Sequence, residues 1–182
     1  MKKSIFICSF LFLCFALCSF EKIETKMIEE ENQKLVQNYF TKNSNAKVAE
    51  EQYLGILEIP SISLERGFYS YSSENNTVEK NIQVISSTCT PNENCDFILA
   101  SHSGTSNIAF FKNLYQLKES DTVYIYYQNK KYSYILKNIE HVEKDGTIEI
   151  VSENNPRLIL TTCNKVSDTL QDIYYFELLN IE

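Results

Sequence analysis

The 182-residue sequence has no tryptophan, four glycines, three prolines, two histidines and two arginines, Arg66 and Arg157. Its formal net charge of -7 offers no basic face to a phosphate backbone, which excludes nucleic acid as a partner. No internal repeat and no strong low-complexity tract is present, which excludes a repeat array. The scarcity of histidine and arginine leaves few side chains to activate a nucleophile. What is plentiful is tyrosine and phenylalanine, 12 and 11 residues, within a chain 43% hydrophobic and 23% charged. That composition suits folding around a core, and the length suits one domain plus extensions.

Lys2 and Lys3 precede Ser4 to Phe20, seventeen residues without a charge. A positive start followed by an apolar segment is a targeting pattern. The length sits at the lower limit of a membrane-spanning helix, about 17–25 residues. Residues 1–20 are therefore expected to be a signal-anchor: a single pass through residues 4–20, the N-terminus cytoplasmic, the C-terminal domain extracellular. A signal peptide cleaved near Ala16-Leu17-Cys18, with secretion of the rest, and a lipidated Cys18 are the alternatives. Cys8, Cys14 and Cys18 read as small hydrophobes in that segment. Residues 21–50 read as a polar, partly helical and solvated spacer, opened by Glu21, Lys22, Glu24, Lys26, Glu29, Glu30 and Glu31. Leu35, Val36, Tyr39 and Phe40 could form a short apolar stripe on a helix there.

Residues 51–182 have the texture of a β domain. Strands are expected at 53–59, 62–69, 82–86, 96–101, 122–127, 131–139, 157–162 and 173–179. Gln128-Asn129-Lys130 separates two of them as a hairpin turn. Helical turns are expected at Glu74 to Lys80 and at Ile108 to Leu117, where Ile108, Phe111, Leu114 and Tyr115 have helical spacing. The expected fold is mainly all-β, about eight short strands in a closed or nearly closed barrel with two short helices, behind an apolar N-terminal helix.

Cys89, Cys95 and Cys163 remain outside the apolar segment. Cys89 and Cys95 bracket a turn-rich loop and are the natural pair if a disulfide forms, which leaves Cys163 unpaired. A thiolate is the reactive form of cysteine, so an isolated thiol with a role needs a base or cation nearby. His102, in "ILASHSGTSNIAFF", follows the buried strand Phe97 to Ala100. Cys163, in "RLILTTCNKV", likewise sits where an apolar strand leaves the core. In a barrel such exits gather at a rim. His141, among Glu140, Glu143 and Asp145, reads as a solvated histidine.

Three stretches in order resemble the sortases, cysteine transpeptidases that attach surface proteins to the bacterial cell wall. "LGILEIPSISL" resembles the family's opening strand through Gly55, Leu57, Ile59, Pro60 and Ile62. "ILASHSGTSNIAFFKNLYQLKESDTVYIYY" resembles its histidine segment through His102, Phe111, Leu114, Leu117 and Asp121, with Ser101 and Ser120 in place of the usual glycines. "LILTTC" resembles its T-L-x-T-C box through Leu160, Thr162 and Cys163, and Cys163 follows His102 by 61 residues. The resemblance implies an eight-stranded β-barrel with thiol and imidazole in one groove. It implies that Cys163 attacks the Thr–Gly carbonyl of a Leu-Pro-x-Thr-Gly-like sorting signal, giving a thioacyl-enzyme. An amine of peptidoglycan or of a pilin lysine then resolves it, with His102 as general acid and base. No metal or organic cofactor takes part in that chemistry.

The same resemblance implies an arginine about eight residues after the cysteine, on the last strand, where it would hold the substrate backbone and the developing oxyanion. Here Gln171 and Asp172 fall at that place. Arg157 is six residues before Cys163 on one strand, about 20 Å away at about 3.3 Å per residue. Gln171 or Lys165 is expected to supply the missing donor. The alternative is a degenerate sortase-like protein that binds peptides with little or no turnover.

Overall fold

The computed structural model describes residues 2–41, 52–146, 150–151 and 155–182, with side chains in the first helix from Ser19 onward. The side chains of Cys8, Cys14 and Cys18 and residues 42–50 of the spacer lie outside what is described. One helix, α1 (Lys2–Thr41), precedes eight strands: β1 (Gly55–Ile59), β2 (Leu64–Phe68), β3 (Gln83–Val84), β4 (Asp96–Ala100), β5 (Thr122–Tyr127), β6 (Lys130–Glu143), β7 (Arg157–Cys163) and β8 (Leu170–Ile181). They form one sheet in the order β2-β1-β5-β6-β8-β7-β4-β3. A single bridge, Phe68 to Ile82, joins its two ends, so the barrel is nearly closed.

Alternation on the strands explains the core. Val123, Ile125 and Tyr127 on β5, Tyr132, Tyr134 and Leu136 on β6, Leu158 and Leu160 on β7, and Tyr174 and Phe176 on β8 all point into it and are buried. Gln128 and Asn129 have φ of 50° and 60°, the left-handed pair that a two-residue hairpin turn requires. All eight expected strands form. β6 and β8 run longer than their apolar patterns, pairing from Tyr132–Ile181 to Glu143–Leu170 through two register shifts. In place of short α-helices, residues 74–80 make turns, and the 108–117 segment holds one 3-10 turn, Leu114–Gln116. A second 3-10 turn, Pro60–Ile62, links β1 to β2.

The N-terminal expectation needs correction. No helix of the described residues is long and apolar enough to cross a membrane, so the single-pass anchor through residues 4–20 does not stand. Seventeen residues at about 1.5 Å each span about 26 Å, short of a hydrocarbon core of about 30 Å. The helix also runs on without a break into the charged stretch beyond Phe20.

The second half of α1 lies on the barrel wall. Val36 is buried with Tyr53, Ile56 and Tyr69, and Leu35 and Tyr39 pack beside them, so the apolar stripe is in use rather than solvated. Asn32, almost fully buried, donates to the Glu65 carbonyl (3.0 Å) and accepts from the Tyr53 hydroxyl (3.1 Å). Tyr39 donates to the Tyr126 carbonyl (3.1 Å). Near the start of the described side chains, Thr25 donates to Asn107 (2.6 Å), which in turn donates to Glu24 (3.3 Å). The helix thus touches the loop that follows His102. Cys89 and Cys95 form a disulfide with Cα atoms 6.0 Å apart, and Cys163 is a free cysteine.

Candidate functional site

β4 and β7 run parallel, in register from Asp96–Arg157 to Ala100–Thr161. Both chains therefore leave the sheet at one rim, β4 toward His102 and β7 at Cys163. Side chains and backbone extend the pairing past the strand ends. The Ser101 N–H donates to the Thr161 carbonyl (3.4 Å), and the Thr162 hydroxyl donates to the Ser101 carbonyl (2.7 Å). The Ser103 hydroxyl donates to the Cys163 carbonyl (2.6 Å). His102 is thus held between two residues that are each tied to β7. Its own carbonyl accepts from the Phe111 N–H (3.0 Å), which closes the loop beyond it. His102 and Cys163 are both partly exposed.

A shallow cleft over the thiol is lined by Ser103, Phe111, Tyr115, Lys165, Asp172 and Tyr174 among others. Asp172 is buried, and its carboxylate accepts from Asn164 (2.6 Å) and pairs with His141 (2.7 Å). Burial first, and then the Asp172 carboxylate beside it, push the Tyr174 phenol up and keep it protonated. His141 is half-exposed but not simply solvated, because it shares this carboxylate. Its partner is 31 residues away, which its sequence neighbours do not reveal.

The arginine question now has a geometric answer. Cys163 and Gln171 are cross-strand partners on β7 and β8. The Gln171 amide donates to the Thr161 hydroxyl (2.7 Å) on the same face. The Lys165 ammonium sits over the Tyr115 ring, 3.5 Å from its centre. Arg157 is buried at the far end of β7, bonded to Asp96 (2.7 Å) and to the Val151 carbonyl (2.7 Å). Arg66, buried on β2, donates to Asn81 (2.6 Å) and stacks over Phe110 at 3.5 Å. The group that does meet the sulfur is Lys144, whose Nζ lies 3.2 Å from Cys163 Sγ. Nothing in the spacing of "HVEKDG" marks that lysine out.

A family model described as Sortase domain matches residues 57–175, well over half of the chain. The chain belongs to the sortase family. A curated relative, Sortase A of Bacillus anthracis, is 27% identical over 154 residues, covering 82% of this chain and 69% of the relative. Among solved structures, a Clostridium perfringens Sortase D5 transpeptidase superposes with a TM-score of 0.66 at 17% identity, covering 84% of this chain and 98% of that one. Sortase A of Listeria monocytogenes gives 0.62 at 18%, covering 71% and 89%. At these identities the superpositions show a shared fold. Sortases are cysteine transpeptidases. In this sortase, each glycine of the family pattern replaced by serine leaves a physical trace. Ser120 has a φ of 76°, where glycine carries no Cβ penalty. The buried Ser101 hydroxyl finds no hydrogen-bond partner among the described residues.

Proposed function

We propose that this chain is a cysteine transpeptidase that cleaves a Leu-Pro-x-Thr-Gly-like sorting signal and passes the acyl group to an amine of peptidoglycan or of a pilin. Cys163 is the nucleophile. Its thiol proton goes to His102, the sulfur bonds to the Thr carbonyl carbon, and the C–N bond breaks as His102 returns the proton to the leaving amine. The incoming amine reverses the sequence and frees the thiol. Gln171, level with Cys163 on the next strand, supplies a neutral N–H donor where the family pattern has an arginine, and Lys165 borders the same cleft. The barrel domain, residues 51–182, carries all of this machinery.

The observation that carries the reading is the clamp on His102. Ser101 and Ser103, either side of it, are bonded to Thr161, Thr162 and Cys163 on β7. The test is a library of sorting-like peptides offered to the protein with an amine acceptor. Mass spectrometry should detect a thioester on Cys163, absent in Cys163→Ala, and His102→Ala should lower turnover about 10²–10⁴-fold. Unchanged cleavage by Cys163→Ala refutes the enzyme reading. A peptide binder with little turnover is the second reading. It draws on the position of both guanidinium groups, each committed elsewhere. Peptide affinity without any thioester would favour it.

A further inference from the structure

We infer that Lys144 is the cation that meets the Cys163 sulfur and then the developing oxyanion, the second of which the family pattern gives to an arginine on β8; the inference rests on the transpeptidase reading of this site. The ammonium is 3.2 Å from Sγ, the distance of an N–H donor to sulfur. Its backbone is fixed before the side chain reaches out. β6 ends at Glu143, paired with Leu170, and the Lys144 N–H then donates to the Thr169 carbonyl (2.8 Å). β6, β8 and β7 are successive neighbours in the sheet, so the four-carbon stem crosses the end of β8 to reach the thiol. Two strand spacings are about 9–10 Å, a gap that a lysine and a cysteine close from both sides.

Two of the other charged groups nearby have partners of their own. Lys165 lies on the Tyr115 ring, and Asp172 is occupied by His141 and Asn164. Lys112 lines the same cleft, His102 stands beyond β4, and Glu143 and Asp145 flank Lys144 in sequence. Gln171 is neutral and its amide is turned to Thr161. Among the described residues, Lys144 is the cation in contact with the sulfur.

An ammonium beside the sulfur presents a positive charge and an N–H donor at the attacking atom. In the attack the thiol proton passes to His102, the sulfur electrons form the S–C bond, and the carbonyl π electrons move to oxygen. When the oxygen electrons return, the C–N bond breaks and the amine leaves with the proton from His102. Lys144 donates N–H first to sulfur, then to the oxyanion. Unlike a guanidinium it is a point charge without a planar fork, so it meets one atom at a time.

The experiment compares alkylation of Cys163 by two reagents of nearly equal size, anionic iodoacetate and neutral iodoacetamide, in the full chain. Their rate ratio reads the charge beside the sulfur and is insensitive to how much thiolate is present. In Lys144→Met the ratio should fall about fivefold, the effect of one charge at about 4 Å in water. Lys144→Arg should restore it, and Lys165→Met should leave it unchanged. A ratio unaltered by Lys144→Met, or lowered equally by Lys165→Met, overturns the inference. Turnover of a sorting peptide is measured on the same proteins, and Lys144→Met should lose about 10²-fold. If the ratio falls and arginine restores it while no form cleaves any sorting peptide, Lys144 keeps its place beside the thiol and the transpeptidase reading fails instead.

Discussion

Replacing Thr162 by valine separates the clamp on His102 from the reactivity of the thiol. Thr162 is buried and its hydroxyl donates to the Ser101 carbonyl at 2.7 Å. Valine keeps the shape, so no cavity opens and no bulk is added. What is lost is one hydrogen bond, worth about 1 kcal/mol net, and Ser101 is itself buried, so its carbonyl also loses a donor at a cost of about 1–2 kcal/mol. The sum, about 2–3 kcal/mol, corresponds to a drop in Tm of about 4–12 °C for a chain of this size. The residue after that carbonyl is His102. A displacement of about 1 Å at a catalytic group can cost about 10²-fold, so peptide turnover should fall by about 10- to 100-fold. Iodoacetamide alkylation of Cys163 should change by less than about threefold, because Lys144 reaches the sulfur from the end of β6, across β8, and not from the clamp. Urea denaturation, peptide turnover and alkylation on one preparation complete the measurement. Full stability in Thr162→Val, or parallel losses in turnover and alkylation, would refute the reasoning.

Ser120→Gly should stabilise the fold by about 1 kcal/mol, since φ of 76° burdens a side chain and not a glycine; the midpoint of urea unfolding reads it. Gly67→Ala should cost about 3 kcal/mol in the same assay, because a Cβ there would overlap the Tyr53 ring packed on β2. Burial raises the Tyr39 and Tyr175 phenols to about 12, and those of Tyr53, Tyr126 and Tyr134 further. The unfolded chain therefore gives up these protons first as pH rises. The stability they contribute is fully present below about pH 10 and is lost progressively toward pH 12, so urea midpoints at pH 9 and 11 should differ in that direction.

The strands were legible because each alternates or clusters apolar residues between turn residues, and the barrel core follows that alternation. Cys163 and His102 were legible as strand exits, and the structure places both on one rim. Two features were hidden for a common reason: each depends on partners distant in sequence. The register of β6 on β8 carries the chain four residues past Ile139, where its apolar pattern fades, and only that extension brings Lys144 to the thiol. Asn32 looks like one more polar residue of a charged helix until Tyr53 and the Glu65 carbonyl satisfy it. The apolar segment before Phe20 carries a targeting pattern in composition, but composition does not supply the length that crossing a bilayer demands.

The parallel pairing of β4 and β7 puts the Cys89–Cys95 disulfide at one end of the ladder and Cys163 at the other. Residues 61 positions apart become neighbours only when that ladder closes, so the unfolded chain has neither that separation of the thiols nor His102 on one rim with Cys163. Disulfide choice is then a matter of polymer statistics. Cys89 and Cys95 are six residues apart, whereas Cys163 lies 68 residues beyond Cys95. Ring closure between the first two is favoured about 40-fold over closure to the third. Chain statistics in the unfolded state and the ladder in the folded state therefore favour the same pairing, Cys89 with Cys95, and both leave Cys163 as the free thiol of the three.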